Sequence, residues 1–250
     1  MSLIVIGPSP RAAMTCKALL PLAFVAALCS ACSGRGSPNE PSTSIPPPAS
    51  KHSSGAEHGF PNPAAYARDL DDPKRDTWQK PEEVVGLLDC DPSMTAVDLG
   101  AGTGYFLPYL SAAAGLGGRV LALDTDRGMI ELTRARIERD GLDNFETRLV
   151  APEDPRLEPR SVDRILVVNT WHHLSARARY AKKLLGALRP GGRLLIVDFD
   201  MDSPLGPARA MRLTPDTVVR ELRAAGFQTE RLVESLPYQY AIAGRIPALN

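Results

Sequence analysis

From about residue 80 onward, short runs of consecutive apolar residues alternate with segments whose apolar residues recur every three or four positions. Continuous runs fit strands buried on both faces, and the 3–4 spacing fits helices with one apolar side. The runs predict strands over 95–99, 119–124, 145–150, 165–168 and 193–199. Between them, helices are expected from Pro81 to Leu88, from Tyr105 to the glycine cluster at 115–118, over 128–140, over 176–188 and from Pro215 to Gly226. Met129, Ile130, Leu132 and Ile137 mark the buried side of the third of these. Pro81 with Glu82 and Glu83 makes a good helix start, as does Thr214 ahead of Pro215, and Gly226 is a natural stop. Ser175 is the expected cap of the helix at 176, and Asp126 that of the helix at 128. Two final strands, 228–234 and 238–243, have a short connection that suits an antiparallel hairpin. The alternation predicts an α/β fold with seven strands.

The first 80 residues follow other rules. Lys17 followed by the apolar run 18–28 reads as an export signal over 1–32, too short to span a bilayer as a helix. Met14 is an alternative start with a more ordinary basic region. Small residues before Cys32 resemble the lipobox of bacterial lipoproteins, although Cys29 stands where leucine is usual, so acylation of Cys32 and plain cleavage after Ala31 both remain open. Residues 33–59 are rich in Ser, Pro and Gly and read as a disordered tether, with His52 and His58 in or beside it. The folded domain then covers 60–250, with the stretch before Pro81 as a cap.

The chemistry concentrates where the first strand ends. Asp98 closes that strand, and Gly100, Ala101, Gly102 and Gly104 follow before the next helix. Alternate glycines allow a sharp turn and let a ligand lie against the main chain. A second strand ends in Asp124, and 188–198 combines a helix end, the Pro190-Gly191-Gly192 turn and a further strand. These three blocks, in this order, resemble the class I methyltransferases that use S-adenosylmethionine. The resemblance implies a doubly wound, Rossmann-like sheet, S-adenosylmethionine as cofactor, and a donor site made by Asp98, Gly100, Ala101, Gly102 and Gly104. Asp124 would hold the ribose hydroxyls with Thr125 beside it, and Met129 would touch the adenine. Helix capping is the competing role for Asp124. The acid usual after the third strand is displaced by Ala151-Pro152, which leaves Glu153, Asp154 or a backbone group to meet the adenine amine. Asn169, at the end of the fourth strand, is the remaining cofactor candidate.

Acceptor chemistry is expected at the same edge. Asn169-Thr170-Trp171-His172 is not the tetrad of amino-directed nucleic-acid enzymes. His172 or His173 could take a proton from a hydroxyl acceptor, or could simply structure the loop. Trp78 and Tyr238 are substrate candidates, with Gln79, Tyr66, Arg68 and Tyr240 near them. Arg209 and Arg212 could meet an anionic acceptor. A formal net charge of +0 gives no basic footprint for nucleic acid, so a small-molecule acceptor is expected. Cys90 is the one thiol after the leader, which leaves no cysteine-based metal site, and no metal is expected. Membrane contact is expected only through the N-terminal anchor. The oligomeric state is not legible. Export of a protein whose cofactor is made in the cytoplasm leaves three readings: an exported methyltransferase, a cytoplasmic one with a misassigned leader, and an exported ligand-binding pseudoenzyme. A nicotinamide-dependent oxidoreductase is disfavoured, because its glycines are spaced G-x-G-x-x-G.

Overall fold

The structure is a computed structural model and describes residues 67, 68 and 70–247. The leader with Cys32, the tether with its two histidines, and Tyr66 lie outside the described residues.

Among the described residues, seven strands form one sheet: β1 Thr95–Leu99, β2 Arg119–Asp124, β3 Phe145–Leu149, β4 Val162–Val168, β5 Leu188–Phe199, β6 Gln228–Arg231 and β7 Gln239–Arg245. Their order is β3-β2-β1-β4-β5-β7-β6. The first five run parallel, and β7 is antiparallel to both β5 and β6. The helices are α1 Asp76–Gln79, α2 Pro81–Leu88, α3 Leu107–Ala114, α4 Arg127–Asp140, α5 Arg177–Ala187 and α6 Pro215–Ala225. This is the doubly wound, Rossmann-like sheet with an antiparallel C-terminal pair that the resemblance implies.

Period-two alternation along the central strands feeds two cores. Val97, Ile165, Val167, Leu194 and Ile196 pack with Tyr180 and Leu184 of α5 and Val218 and Leu222 of α6. Ala96, Leu166, Val168, Leu195 and Val197 pack on the other face with Val84 and Leu88 of α2 and Leu107 and Leu110 of α3. Both faces are therefore covered, which is why these strands read as apolar runs. The order reverses on either side of β1, so a crevice opens above the carboxyl ends of β1 and β4.

Local chemistry sets most boundaries. Asp126 caps α4 by accepting from the Met129 amide, and Thr214 caps α6 by accepting from the Thr217 amide. Several boundaries differ from expectation. Helix α3 begins at Leu107 because Gly100, Gly102 and Gly104 all have positive φ, which extends the turn. Helix α5 begins after Ala176, itself at φ 49°, with no side-chain cap, so Ser175 does not fill that role. Strand β5 starts five residues earlier than its apolar run, because Leu188 pairs with Val162 before the register shifts at the glycine pair. Strand β4 likewise begins at Val162, through a polar stretch that hides its start.

Candidate active site

The glycine turn is held by the strand beside it. The amides of Gly100 and Ala101 both donate to the Leu123 carbonyl at the end of β2, at 2.8 and 3.0 Å. Gly100 cannot carry a side chain: at φ 77°, its Cβ would lie 2.3 Å from Thr170 Oγ1. The close approach of the β4 loop therefore requires glycine there. Asp124 reaches back into the turn, accepting from the Gly102 amide at 2.9 Å through Oδ2 and from the Asp126 amide at 2.9 Å through Oδ1. Burial raises its pKa, while the amides of Asp126, Gly102 and Thr125 pull it down. Asp124 thus supports the turn and leaves lone pairs on both oxygens, whereas α4 is capped by Asp126. Thr125 is exposed beside it.

Asp98 is buried at the end of β1, and its Oδ2 has no hydrogen-bond partner among the described residues. Burial, and then the charge of Asp124, push its carboxyl up to about 7, partly offset by Arg75. A carboxylate orphaned in this way suits a ligand ammonium group.

Arg75, which the sequence reading missed, belongs to the cap. Its guanidinium lies 3.9 Å from the centre of the Tyr105 ring and donates to the Leu70 carbonyl at 2.9 Å. The cap is pinned onto the turn at further points. Thr103 donates to Asp71 at 2.7 Å, Arg136 of α4 pairs with Asp71 at 2.7 Å, and Tyr105 donates to Asp76. Leu70 lies over Gly102. Nothing in the composition of residues 70–79 announces these partners, which sit about thirty residues along the chain or further.

Above β4 the site becomes a ring of amides. Gln79 Nε2 donates to Gln239 Oε1 at 2.7 Å, Gln239 Nε2 to Asn169 Oδ1 at 2.5 Å, and Asn169 Nδ2 to Gln79 Oε1 at 3.1 Å. Gln79 and Gln239 are fully buried, and Asn169 sits at φ 53°. Arg75 also donates to Gln79 Oε1, at 3.3 Å, which fixes the direction in which the ring runs. Asn169 therefore lies at the predicted strand end, and its amide is already engaged by the cap and β7.

His172 and His173 part company. His172 Nδ1 lies 2.8 and 3.0 Å from the two oxygens of Asp198, and both side chains are 2% exposed. Asp198 also accepts from the amides of Phe199 and His172 at 2.9 and 3.3 Å. The His173 side of the pair is exposed, with its ring 4.1 Å from that of His172. Trp78 packs 5.8 Å from Phe199 at the end of β5, which makes an aromatic wall beside the amide ring. Tyr238 is half-buried at the start of β7, and its carbonyl accepts from the Asp200 amide at 2.9 Å.

Several candidates are placed elsewhere. Tyr240 is fully buried and donates to the Leu213 carbonyl at 3.0 Å, so it belongs to the core. Arg212 spends its guanidinium on the carbonyls of Asp200, Met201, Ser203, Leu205 and Pro207, which folds the loop after β5. Arg209 is bound to Met201 and Asp202 of that loop. Met129 has no exposed surface to offer an adenine. A bridge between Ala151 and Asp154 turns the chain back and leaves Glu153 exposed at its tip. Asp154 is committed to Lys183 at 3.4 Å and to the Arg156 amide at 3.2 Å.

Comparison with known proteins agrees with this geometry. Residues 97–196 match the family model described as a methyltransferase domain. An uncharacterized methyltransferase of Mycobacterium tuberculosis is 34% identical over 131 residues, covering 52% of this chain and 50% of that protein. The ubiquinone/menaquinone biosynthesis C-methyltransferase of Acidiphilium cryptum is 29% identical over 165 residues, covering 65% of this chain and 62% of that one. The chain thus spans only part of the curated relatives it matches. The crystal structure of a SAM-dependent methyltransferase from Aquifex aeolicus superposes with a TM-score of 0.68 at 29% identity, covering 73% of this chain and 97% of that one. The chain carries a methyltransferase domain, and S-adenosylmethionine is its cofactor. The site fits that molecule: it has an orphaned carboxylate for an ammonium, a glycine turn with no side chains in the way, and a second carboxylate with lone pairs left over.

Proposed function

We propose that this chain transfers the methyl group of S-adenosylmethionine to a small-molecule acceptor that gives up a proton. The reading rests chiefly on Asp98, a buried carboxylate at the edge of the glycine turn with one oxygen unsatisfied. The likeness to a quinone-pathway C-methyltransferase supports a small acceptor.

When bound, S-adenosylmethionine supplies a methyl group on a sulfonium, which is already a good leaving group. The protein's task is then mainly alignment. Asp98 would take the ammonium of the amino-acid end, and Asp124 the ribose hydroxyls through its remaining lone pairs. The backbone of Gly100, Ala101, Gly102 and Gly104 would lie against the ligand. The amide ring fixes the cap over β4, and Trp78 and Phe199 provide an apolar wall for the acceptor.

His172 is the group to receive the acceptor's proton. A carboxylate on Nδ1 places the ring proton there and leaves Nε2 as the basic nitrogen. The same carboxylate stabilises the imidazolium once formed.

Calorimetry tests the donor half. S-adenosylmethionine should bind while NAD gives no heat, and Asp124→Ala should weaken binding by about 1–3 kcal/mol through lost charge-assisted hydrogen bonds. Heat with NAD alone would sink the reading. A folded Asp124→Ala variant with unchanged affinity would remove Asp124 from the ribose site.

A further inference from the structure

The edge of the sheet opposite the glycine turn holds three arginines in register. Arg164 of β4 is the partner of Arg193 of β5, and Arg193 is the partner of Arg245 of β7. Partners on adjacent strands project from the same face, so three guanidinium groups leave neighbouring strands side by side. That face is the one covered by α2. Leu166, Leu195 and Ala241, at even spacing along the same strands, pack with Val84 and Leu88.

The three are not equally provided for. Arg164 is satisfied by backbone carbonyls, with Nε on Asp89 at 2.5 Å and Nη1 on Asp163 at 3.0 Å and Gly191 at 3.4 Å. Arg245 is exposed at the rim. Arg193 is different. Its side chain is only 9% exposed, and among the described residues its polar contact is an ion pair with Asp89 at 3.6 Å, beyond hydrogen-bonding distance. Its Nε is buried without a partner among the described residues. Asp89 also serves Arg164 at 4.0 Å, and its own side chain is 65% exposed. Glu230 of β6 is the other acid in electrostatic reach. Among the described residues, three cations therefore face two carboxylates, neither of them hydrogen-bonded to Arg193.

A guanidinium is always charged and carries five donors. A guanidinium that buries one of these donors without an acceptor carries a desolvation cost that a ligand oxygen would relieve. Of the three arginines on this face, Arg193 is the one whose buried Nε has no partner among the described residues.

We propose that this edge binds a phosphate-class oxyanion, inorganic phosphate or a phosphomonoester, between Arg193 and Arg245. A tetrahedral dianion supplies several acceptor oxygens and two charges, which suits two adjacent guanidinium forks; a single carboxylate fills one. Gly191 at the rim has open space where a side chain would stand, which leaves room for the occupant. The site lies at the amino-terminal edge of the sheet, so its ligand is neither methyl donor nor acceptor.

Thermal melts of the full chain test this, with inorganic phosphate and glycerol 3-phosphate compared against chloride at equal ionic strength. A saturating ligand should raise the melting temperature by about 3 °C or more. A shift with glycerol 3-phosphate alone identifies the occupant as a phosphomonoester; a shift with both includes inorganic phosphate. Arg245→Ser, at an exposed position, should keep its melting temperature in chloride and lose at least half of the shift. Arg193→Met should melt no lower than the parent in chloride, because it removes a buried charge, and should show no shift. No shift with either anion, or a shift that survives both substitutions, overturns the proposal. The assay needs no S-adenosylmethionine, so its result is independent of the methyl-transfer reading.

Discussion

Asp98 is the residue at which burial and ligand chemistry oppose each other. Without a ligand, its carboxyl is pushed from the ordinary 3.8 up to about 7, first by burial and then by Asp124. The folded chain therefore holds a proton that the unfolded chain releases near pH 4. This group's contribution to stability is complete below the unfolded pKa and is lost as pH rises through about 7. Binding an ammonium reverses the preference, because the carboxylate is then wanted ionised. Affinity for S-adenosylmethionine should be about tenfold weaker at pH 6 than at pH 8, with nearly one proton released on binding at pH 6. Calorimetry in two buffers of different ionisation heat measures both quantities, and Asp98→Asn should flatten the profile. A flat profile in the parent chain would show that Asp98 does not meet the ammonium. Asp98, Asp124 and the glycines were legible in the sequence because backbone geometry at a strand end fixes their places. Tyr240's place in the core was not legible, because a side chain's partner, unlike its strand, leaves no local trace: Tyr240 is bonded to Leu213, twenty-seven residues back.

At the scale of elements, the amide ring joins three segments that the sequence keeps far apart: α1 through Gln79, the end of β4 through Asn169, and β7 through Gln239. Within the ring each amide gives one hydrogen and accepts one, so removing a member strands a buried donor and a buried acceptor on the other two. Gln79→Leu and Gln239→Leu should each cost about 1–3 kcal/mol. The double variant should cost about 1 kcal/mol less than the sum, since the second substitution removes groups that the first left unpaired. Chemical denaturation of the three variants measures this; strict additivity would mean that the three amides do not act as a unit. The helix ends with a side-chain or glycine signal, at Asp126, Thr214 and Gly226, were readable for the reason that their caps are local. The starts of α3, α5 and β5 were not. Each depends on a positive φ or on a strand pairing set by a distant segment, as when Leu188 finds Val162.

Across the whole molecule, the cap is the weakly held part. From Leu70 to Lys80 its described part includes a short 3-10 turn and a single turn of helix, tied down mainly by polar contacts to the glycine turn and the amide ring, with Leu70 and Trp78 making apolar contacts there. Elements of this kind open locally at much less cost than the sheet beneath them. A cofactor seated between the turn and the cap would bind the closed form and not the open one, and would act on both local and global equilibria. At a hundred times its dissociation constant, S-adenosylmethionine should stabilise the fold by about 2.7 kcal/mol. That corresponds to a rise of about 5–10 °C in melting temperature for a domain of this size. Trypsin cleavage at Lys74 and Arg75 should slow by about a hundredfold under the same conditions, because cleavage reads the population of the open cap. The two readouts separate two geometries. A ligand lying on the turn outside the cap would raise the melting temperature and leave the cleavage rate unchanged, whereas one enclosed by Leu70, Arg75 and Gln79 must move both.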